Sequence, residues 1–173
     1  MRTIGLAGGS LLSELGSKTD IQLFFDCLNT YVVPKHSEQD WTLLSDRLYK
    51  RYLRLNELDA ALFLMEQIRN EFAALPSNSI DWQDYEETKA ATNNRLDTSK
   101  GTLADVFERF FENFVRCCES VKNSYGMFKS YAGYKYEPVR FIVTDTPWFT
   151  AESMRPLEEY DALEGDPFWA EKE

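Results

Sequence analysis

Residues 40–75 constrain the fold most, because they carry two apolar stripes with helical spacing. The first half of the segment repeats apolar or aromatic side chains every three or four positions, at Trp41, Leu44, Leu48, Tyr52 and Leu55. The second half continues that period at Leu58, Ala61, Leu62, Met65, Ile68, Phe72 and Leu75. Such spacing places the side chains on one face of an α-helix. Asn56 is predicted to cap the second helix, and Pro76 to follow its end. The segment therefore predicts a helical hairpin that packs against a third element.

Two further helical patterns supply partners for this hairpin. Thr102, with Asp105 three positions later, opens the stronger pattern. Its stripe comprises Leu103, Val106, Phe107, Phe110, Phe111, Phe114, Cys118 and Val121. Each phenylalanine buries on the order of 150–250 Å², so this helix is predicted to form a wall of the core. A shorter helix is predicted to begin at Thr19, with Gln22 completing a capping box.

Short β segments complete the predicted fold. Residues 2–7 and 11–15 flank a glycine-rich turn, which is typical of a β-hairpin. The β-branched residues of 139–144 predict a further strand, and residues 79–82 a short strand or edge. Residues 83–101 contain few apolar side chains and are predicted to form a long connection. We therefore expect an α+β fold, mainly helical with a small antiparallel sheet, in a single domain over residues 1–173.

The length and the cysteines limit the class of protein. A chain of 173 residues suffices for one domain with a real core. Its longest uncharged run near the start, residues 3–13, is too short to span a bilayer, and no signal-peptide pattern frames it. We expect a cytoplasmic protein without a membrane partner. Cys27, Cys117 and Cys118 have no metal-binding spacing and are expected to be free thiols in a reducing compartment.

Negative charge accumulates toward the C-terminal end of the chain. The formal net charge is −10, and residues 148–173 contribute eight acidic and two basic side chains to it. Phosphate contacts require lysine and arginine, so direct nucleic-acid binding is not expected. An acidic surface favours a basic protein partner instead.

The residue patterns of common catalytic and metal sites are absent from the sequence. It contains neither a nucleophile elbow nor a P-loop nor paired cysteine–histidine spacing. The one histidine, His36, falls in a polar segment without a nearby cysteine or serine motif. We therefore expect no catalytic residue, no metal and no cofactor. The alternative is a small hydrolase that uses His36 or a pair of carboxylates.

Several short motifs resemble the immunity 70 family of bacterial toxin-immunity proteins. They begin with Gly9-Ser10, Glu14, Gly16-Ser17 and Phe24-Phe25, followed by Leu43-Leu44 and Leu48-Tyr49. Ala61-Leu62, Ile68-Arg69-Asn70-Glu71, Pro76 and Ile80-Asp81-Trp82 follow in similar order and spacing. The resemblance covers residues 1 to about 125. It implies a cytoplasmic immunity protein that binds a toxin domain delivered by neighbouring bacteria, as in contact-dependent growth inhibition. Such toxins are often nucleases, frequently acting on tRNA.

We predict that toxin binding uses acidic side chains with aromatic anchors, in a 1:1 complex with a monomer. The C-terminal acidic cluster comprises Glu158, Glu159, Asp161, Glu164 and Asp166, with Trp148 and Trp169 as anchors. The 81–87 acidic cluster comprises Asp81, Asp84, Glu86 and Glu87. Two alternatives remain open. The C-terminal aromatic residues pack on the chain's own core, or the chain is an adaptor that binds partners through residues 125–136 and its acidic end.

Overall fold

A tight turn at Gly9 folds the first two strands into the predicted hairpin. Strand β1, Ile4–Gly8, pairs antiparallel with β2, Leu11–Gly16, and on its other side with β3, Arg140–Val143. The sheet order is therefore β2-β1-β3. Gly9 adopts φ +60°, and a Cβ there would lie 2.5 Å from the backbone of Ser120, so only glycine fits this turn. The computed structural model describes residues 2–145 and 155–171.

The first helix begins two residues earlier than its sequence pattern indicates. Helix α1 spans Lys18–Cys27, and Ser17 rather than Thr19 is the N-cap, paired with Asp20 in a capping box. A π-helical turn, Leu28–Val32, and a 3-10 turn, Val33–Lys35, extend it. The cap differs from the prediction because the Ser17 side chain accepts the amide hydrogen of Asp20 as β2 ends.

Residues 40–75 form two helical segments, as predicted, but the first is shorter than its apolar stripe. A π-helical segment, Leu43–Leu48, is followed by extended chain, where Leu53 N donates to Val139 O over 2.8 Å. This long-range bridge interrupts the helical pattern. A 3-10 turn, Leu55–Glu57, then leads into α2, Leu58–Ala73. Asn56 lies inside that turn and is not a helix cap, so its predicted role is wrong.

The segment between the hairpin and the phenylalanine-rich helix is more regular than predicted. A 3-10 turn, Ser77–Ser79, replaces the expected short strand, and helix α3 spans Gln83–Thr92. The predicted cap at Thr102 is confirmed. Helix α4, Leu103–Val106, is separated from α5, Glu108–Phe128, by a non-helical Phe107.

Phenylalanine rings from three helices meet in the centre of the core. Phe24 of α1 stacks on Phe110 of α5, with ring centroids 3.9 Å apart. Phe72 of α2 and Phe107 and Phe111 contact the same ring edge-on. The described residues thus form the predicted α+β fold, mainly helical with a small antiparallel sheet.

The three cysteines lie within this core as free thiols. Burial raises the pKa of each thiol to about 12, so they remain protonated at neutral pH. Among the described residues, no helix combines the length and apolarity that crossing a bilayer requires.

Candidate partner-binding surface

Arg51 attaches the C-terminal segment to the rest of the fold. This segment contains α6, Leu157–Asp161, and a 3-10 turn, Phe168–Ala170. The Arg51 guanidinium donates to the carbonyl oxygens of Tyr160, Asp161 and Leu163 at 2.5, 3.0 and 2.9 Å. These carbonyls lie at the C-terminal end of α6, where unpaired acceptors and the helix dipole favour a cation. One side chain more than a hundred residues earlier in the chain therefore stabilises the end of the helix that carries Glu158, Glu159 and Asp161.

Trp169 also attaches this segment to the core, so it is not a free anchor. Its side chain is 2% exposed, and its Nε1 donates to Tyr49 O over 2.8 Å. The indole also packs against the rings of Tyr49 and Phe141. The structure thus supports the alternative in which this aromatic residue packs on the core. Trp148, the other predicted anchor, lies outside the described residues.

Tyr160 adds a second buried contact beneath α6. It is 3% exposed, lies edge-on to Tyr52 and Phe168, and has the guanidinium carbon of Arg140 5.5 Å from its ring centroid. Burial is the main cause that raises the pKa of Tyr160. Tyr160 and Trp169 therefore face inward, towards the core.

The five residues of the C-terminal acidic cluster are all exposed. Asp161 accepts a hydrogen bond from the Tyr52 hydroxyl over 2.8 Å, and Glu159 pairs with Arg155 at 3.3 Å. Within the described part of the chain, no cation lies within 4 Å of the carboxylates of Glu158, Glu164 and Asp166. The segment thus presents negative charge on a backbone that is attached to the core.

The 81–87 acidic cluster lies at the beginning of α3, and its residues are also exposed. Asp81 accepts the amide hydrogen of Gln83 over 3.0 Å, and Glu87 accepts from the same residue's side-chain amide over 3.1 Å. Glu86 accepts from Thr98 over 2.6 Å and lies 3.7 Å from Lys89. Acidic groups in a first helical turn also stabilise the helix by opposing its dipole. This cluster therefore has a structural role independent of any partner.

A buried carboxylate that the sequence analysis did not single out holds α3 in place. Asp20 is 3% exposed and accepts from the Tyr85 hydroxyl over 2.5 Å and from Arg95 N over 2.8 Å. The Tyr85 hydroxyl in turn accepts from Leu96 N over 2.9 Å. Burial raises the pKa of Asp20. In the sequence, the only signal for Asp20 was its position three residues after Ser17, which is the spacing of a capping box.

The two acidic clusters are attached to different parts of the fold. The C-terminal cluster is held by Arg51, Tyr52 and the Trp169–Tyr49 contact, whereas α3 is held by Asp20 of α1. In the described ranges, no hydrogen bond or ion pair joins one cluster to the other. Different elements of the fold therefore position the two clusters.

His36 is surrounded by acidic groups. Its Nε2 lies 2.9 Å from Glu71 Oε1, and its Nδ1 lies 3.6 Å from Glu38. The hydrogen bond to Glu71 is the main cause that raises the pKa of His36. This contact joins the end of the 3-10 turn Val33–Lys35 to α2 and resembles a structural contact more than a nucleophile–base pair. Residues 2–145 and 155–171 contain no cluster of three side chains that would hold a metal ion.

Comparisons with protein-family models, with curated proteins and with solved structures find no match to this chain.

Proposed function

We propose that this chain is an immunity protein that binds a basic toxin domain and blocks its active-site or RNA-binding surface. The observation that carries the proposal is the C-terminal acidic cluster, which is exposed while its own segment is docked on the core through Arg51 and Trp169. The resemblance to the immunity 70 family supplies the class of partner, a nuclease toxin. The protein acts in the cytoplasm as one copy per toxin.

The attachment of the acidic segment supports tight binding. An acidic segment that is already ordered loses little conformational freedom when a partner binds, so less of the interaction energy is spent on ordering it. Exposed carboxylates also attract a basic cleft over long range and raise the association rate. A nuclease that binds RNA carries lysine and arginine for phosphate contacts, which is the charge pattern complementary to this surface.

The test is a titration against the toxin domain encoded next to this gene, with charge-reversal variants. The first variant combines Glu158→Lys, Glu164→Lys and Asp166→Lys. Its control combines Glu108→Lys, Glu112→Lys and Glu119→Lys, exposed positions on α5, and changes the net charge equally. We expect the first variant to bind at least roughly tenfold more weakly, because buried charge pairs contribute about 2–5 kcal/mol and rim pairs less.

The control separates a local contact from overall charge. If both variants lose affinity equally, the attraction is non-specific and the cluster is not the binding site. If neither variant loses affinity, the toxin contacts another surface. A parallel variant with Asp84→Lys and Glu87→Lys tests the 81–87 acidic cluster, and an unmodified protein that does not bind the toxin contradicts the proposal as a whole.

A second candidate function is that of an adaptor, and exposed aromatic residues at the end of α5 favour it. Met127 is 68% exposed, Phe128 41% and Tyr131 66%, and Phe128 contacts the rings of both Tyr131 and Tyr134. Exposed apolar side chains in contact with one another mark interaction sites. Substituting Met127 and Tyr131 by serine distinguishes the two functions, since only the adaptor requires these side chains.

A further inference from the structure

An apolar groove lies between α2 and the segment that precedes it. It is lined by Gln39, Asp40, Leu43, Ala60, Phe63 and Leu64 and has a volume of about 280 Å³. We call it the Phe63 groove. Leu64 is buried, Leu43 is half-buried, and Phe63 is 58% exposed. The groove therefore combines an apolar surface with an aromatic side chain that remains largely in water.

Phe63 contributes little to the core of the fold. The side chains that α2 buries are Leu58, Ala61, Leu64, Met65, Ile68 and Phe72. Among large apolar side chains in the described ranges, only Met127 and Tyr131 are more exposed than Phe63. An exposed aromatic residue beside an apolar concavity is the arrangement found at protein-binding surfaces, where such residues serve as anchors.

One carboxylate lines the groove, and two more lie near Phe63 on α2. Asp40 lines it and is held in place, since its Oδ1 accepts from Thr42 N over 3.2 Å. Asp59 and Glu66 are exposed on α2, four residues before and three residues after Phe63, so both lie on the same helical face. Lys122 pairs with Asp59, but no lysine or arginine lines the groove. The rim is therefore net negative.

We propose that the Phe63 groove receives an apolar side chain from a lysine- or arginine-rich helical segment of a protein partner. The apolar surface excludes an occupant that is entirely polar, and the acidic rim selects positive charge beside the apolar anchor. This inference deepens the proposed function, because it gives the basic partner an anchoring point outside both acidic clusters. It rests on that function for the partner's identity, whereas the chemistry of the groove can be tested without the toxin.

The experiment uses a short helical peptide of lysine and leucine, and a second peptide in which every leucine is replaced by serine. Each is titrated into the isotope-labelled protein, and amide chemical shifts are followed by NMR. We expect the leucine peptide to shift the amides of Leu43, Ala60, Phe63 and Leu64, and the serine peptide to leave them unchanged. If both peptides shift only the amides of the acidic clusters, the peptides bind by charge alone and the proposal is overturned.

The variant Phe63→Ser tests the anchor directly, with Val115→Ser on α5 as its control. Both residues are exposed, at 58% and 37%, so neither substitution opens a cavity in the core. We expect Phe63→Ser to weaken binding of the leucine peptide by roughly tenfold, the loss typical of truncating an aromatic hot spot, and Val115→Ser to leave it unchanged. Equal affinities of the two variants would contradict the inference. A toxin that does not bind while the peptide still occupies the groove would instead refute only the proposed function.

Discussion

Replacing Arg51 by methionine should destabilise the end of α6 locally while leaving the rest of the fold intact. Methionine keeps an unbranched apolar stem of similar shape but removes the guanidinium. Three carbonyl oxygens, of Tyr160, Asp161 and Leu163, then lose their donor. Because Tyr160 and Asp161 end α6 and Leu163 lies two residues beyond it, the helix that presents Glu158 and Glu159 loses its C-terminal support.

The magnitude follows from the kind of hydrogen bond that is lost. A hydrogen bond to a charged group contributes about 1.5–3 kcal/mol, so three such bonds set an upper limit of roughly 5–9 kcal/mol. The Arg51 side chain is 21% exposed, and water can replace part of its contacts. The buried Trp169 and Tyr160 still hold the segment. We therefore expect a local loss of about 2–4 kcal/mol.

Hydrogen exchange measured residue by residue gives the required readout. Two amides at the end of α6, those of Ala162 and Leu163, donate to Glu158 O and Tyr160 O, and their protection should decrease by the expected free energy. Protection in α2 and α5 should not change. Lys50→Met is the matched control, because it removes a positive charge one residue earlier without removing these bonds. Unchanged protection of α6 in the Arg51 variant, or an equal loss in α5, would refute the reasoning.

Three further predictions concern the fold. Burial raises the pKa of Asp20. The contribution of Asp20 to the free energy of unfolding is therefore greatest below the ordinary pKa of 3.8 and decreases as the pH rises through the raised pKa. The difference in free energy of unfolding between the unmodified protein and Asp20→Asn, measured by chemical denaturation, should fall with pH, and a rising difference would contradict this. Gly9→Ala should destabilise the protein by about 1–3 kcal/mol, because Gly9 has φ +60° and the backbone of α5 would lie 2.5 Å from the new Cβ. Gly126→Ala should instead stabilise the protein by about 0.5–1 kcal/mol, because Gly126 lies on α5 with open space around it. The hydrogen bond to Glu71 raises the pKa of His36 above 6.5, so an NMR titration should give a lower value in Glu71→Gln than in the unmodified protein; equal values would show that the bond is not formed.

The elements with strong local periodicity were predictable from the sequence. The β-hairpin, the phenylalanine-rich helix with its Thr102 cap and the strand near residue 140 are all confirmed. Each depends on spacings or turn residues within a short stretch, so local physics suffices. Helix α3 was missed because its one buried side chain, Tyr85, gives no apolar period. That helix depends instead on Asp20, 65 positions away in sequence.

The candidate site was also only partly predictable from the sequence. Composition alone shows that the C-terminal end is acidic, and the structure leaves the five carboxylates of the C-terminal acidic cluster exposed. Which aromatic residues accompany them was not determined locally. Trp169 is buried through contacts with Tyr49 and Phe141. Phe63 remains exposed, although it lies on α2 next to residues of the apolar stripe.

The sequence by itself thus determined the charge of this protein and the positions of its main helices and strands, because charge is additive and secondary-structure patterns are local. The tertiary structure decided where the first hairpin helix stops, since Leu53 pairs with Val139 across the fold. It also decided which apolar side chains stay available to a partner. Burial depends on contacts between residues far apart in the chain, and these exist only once the elements have packed.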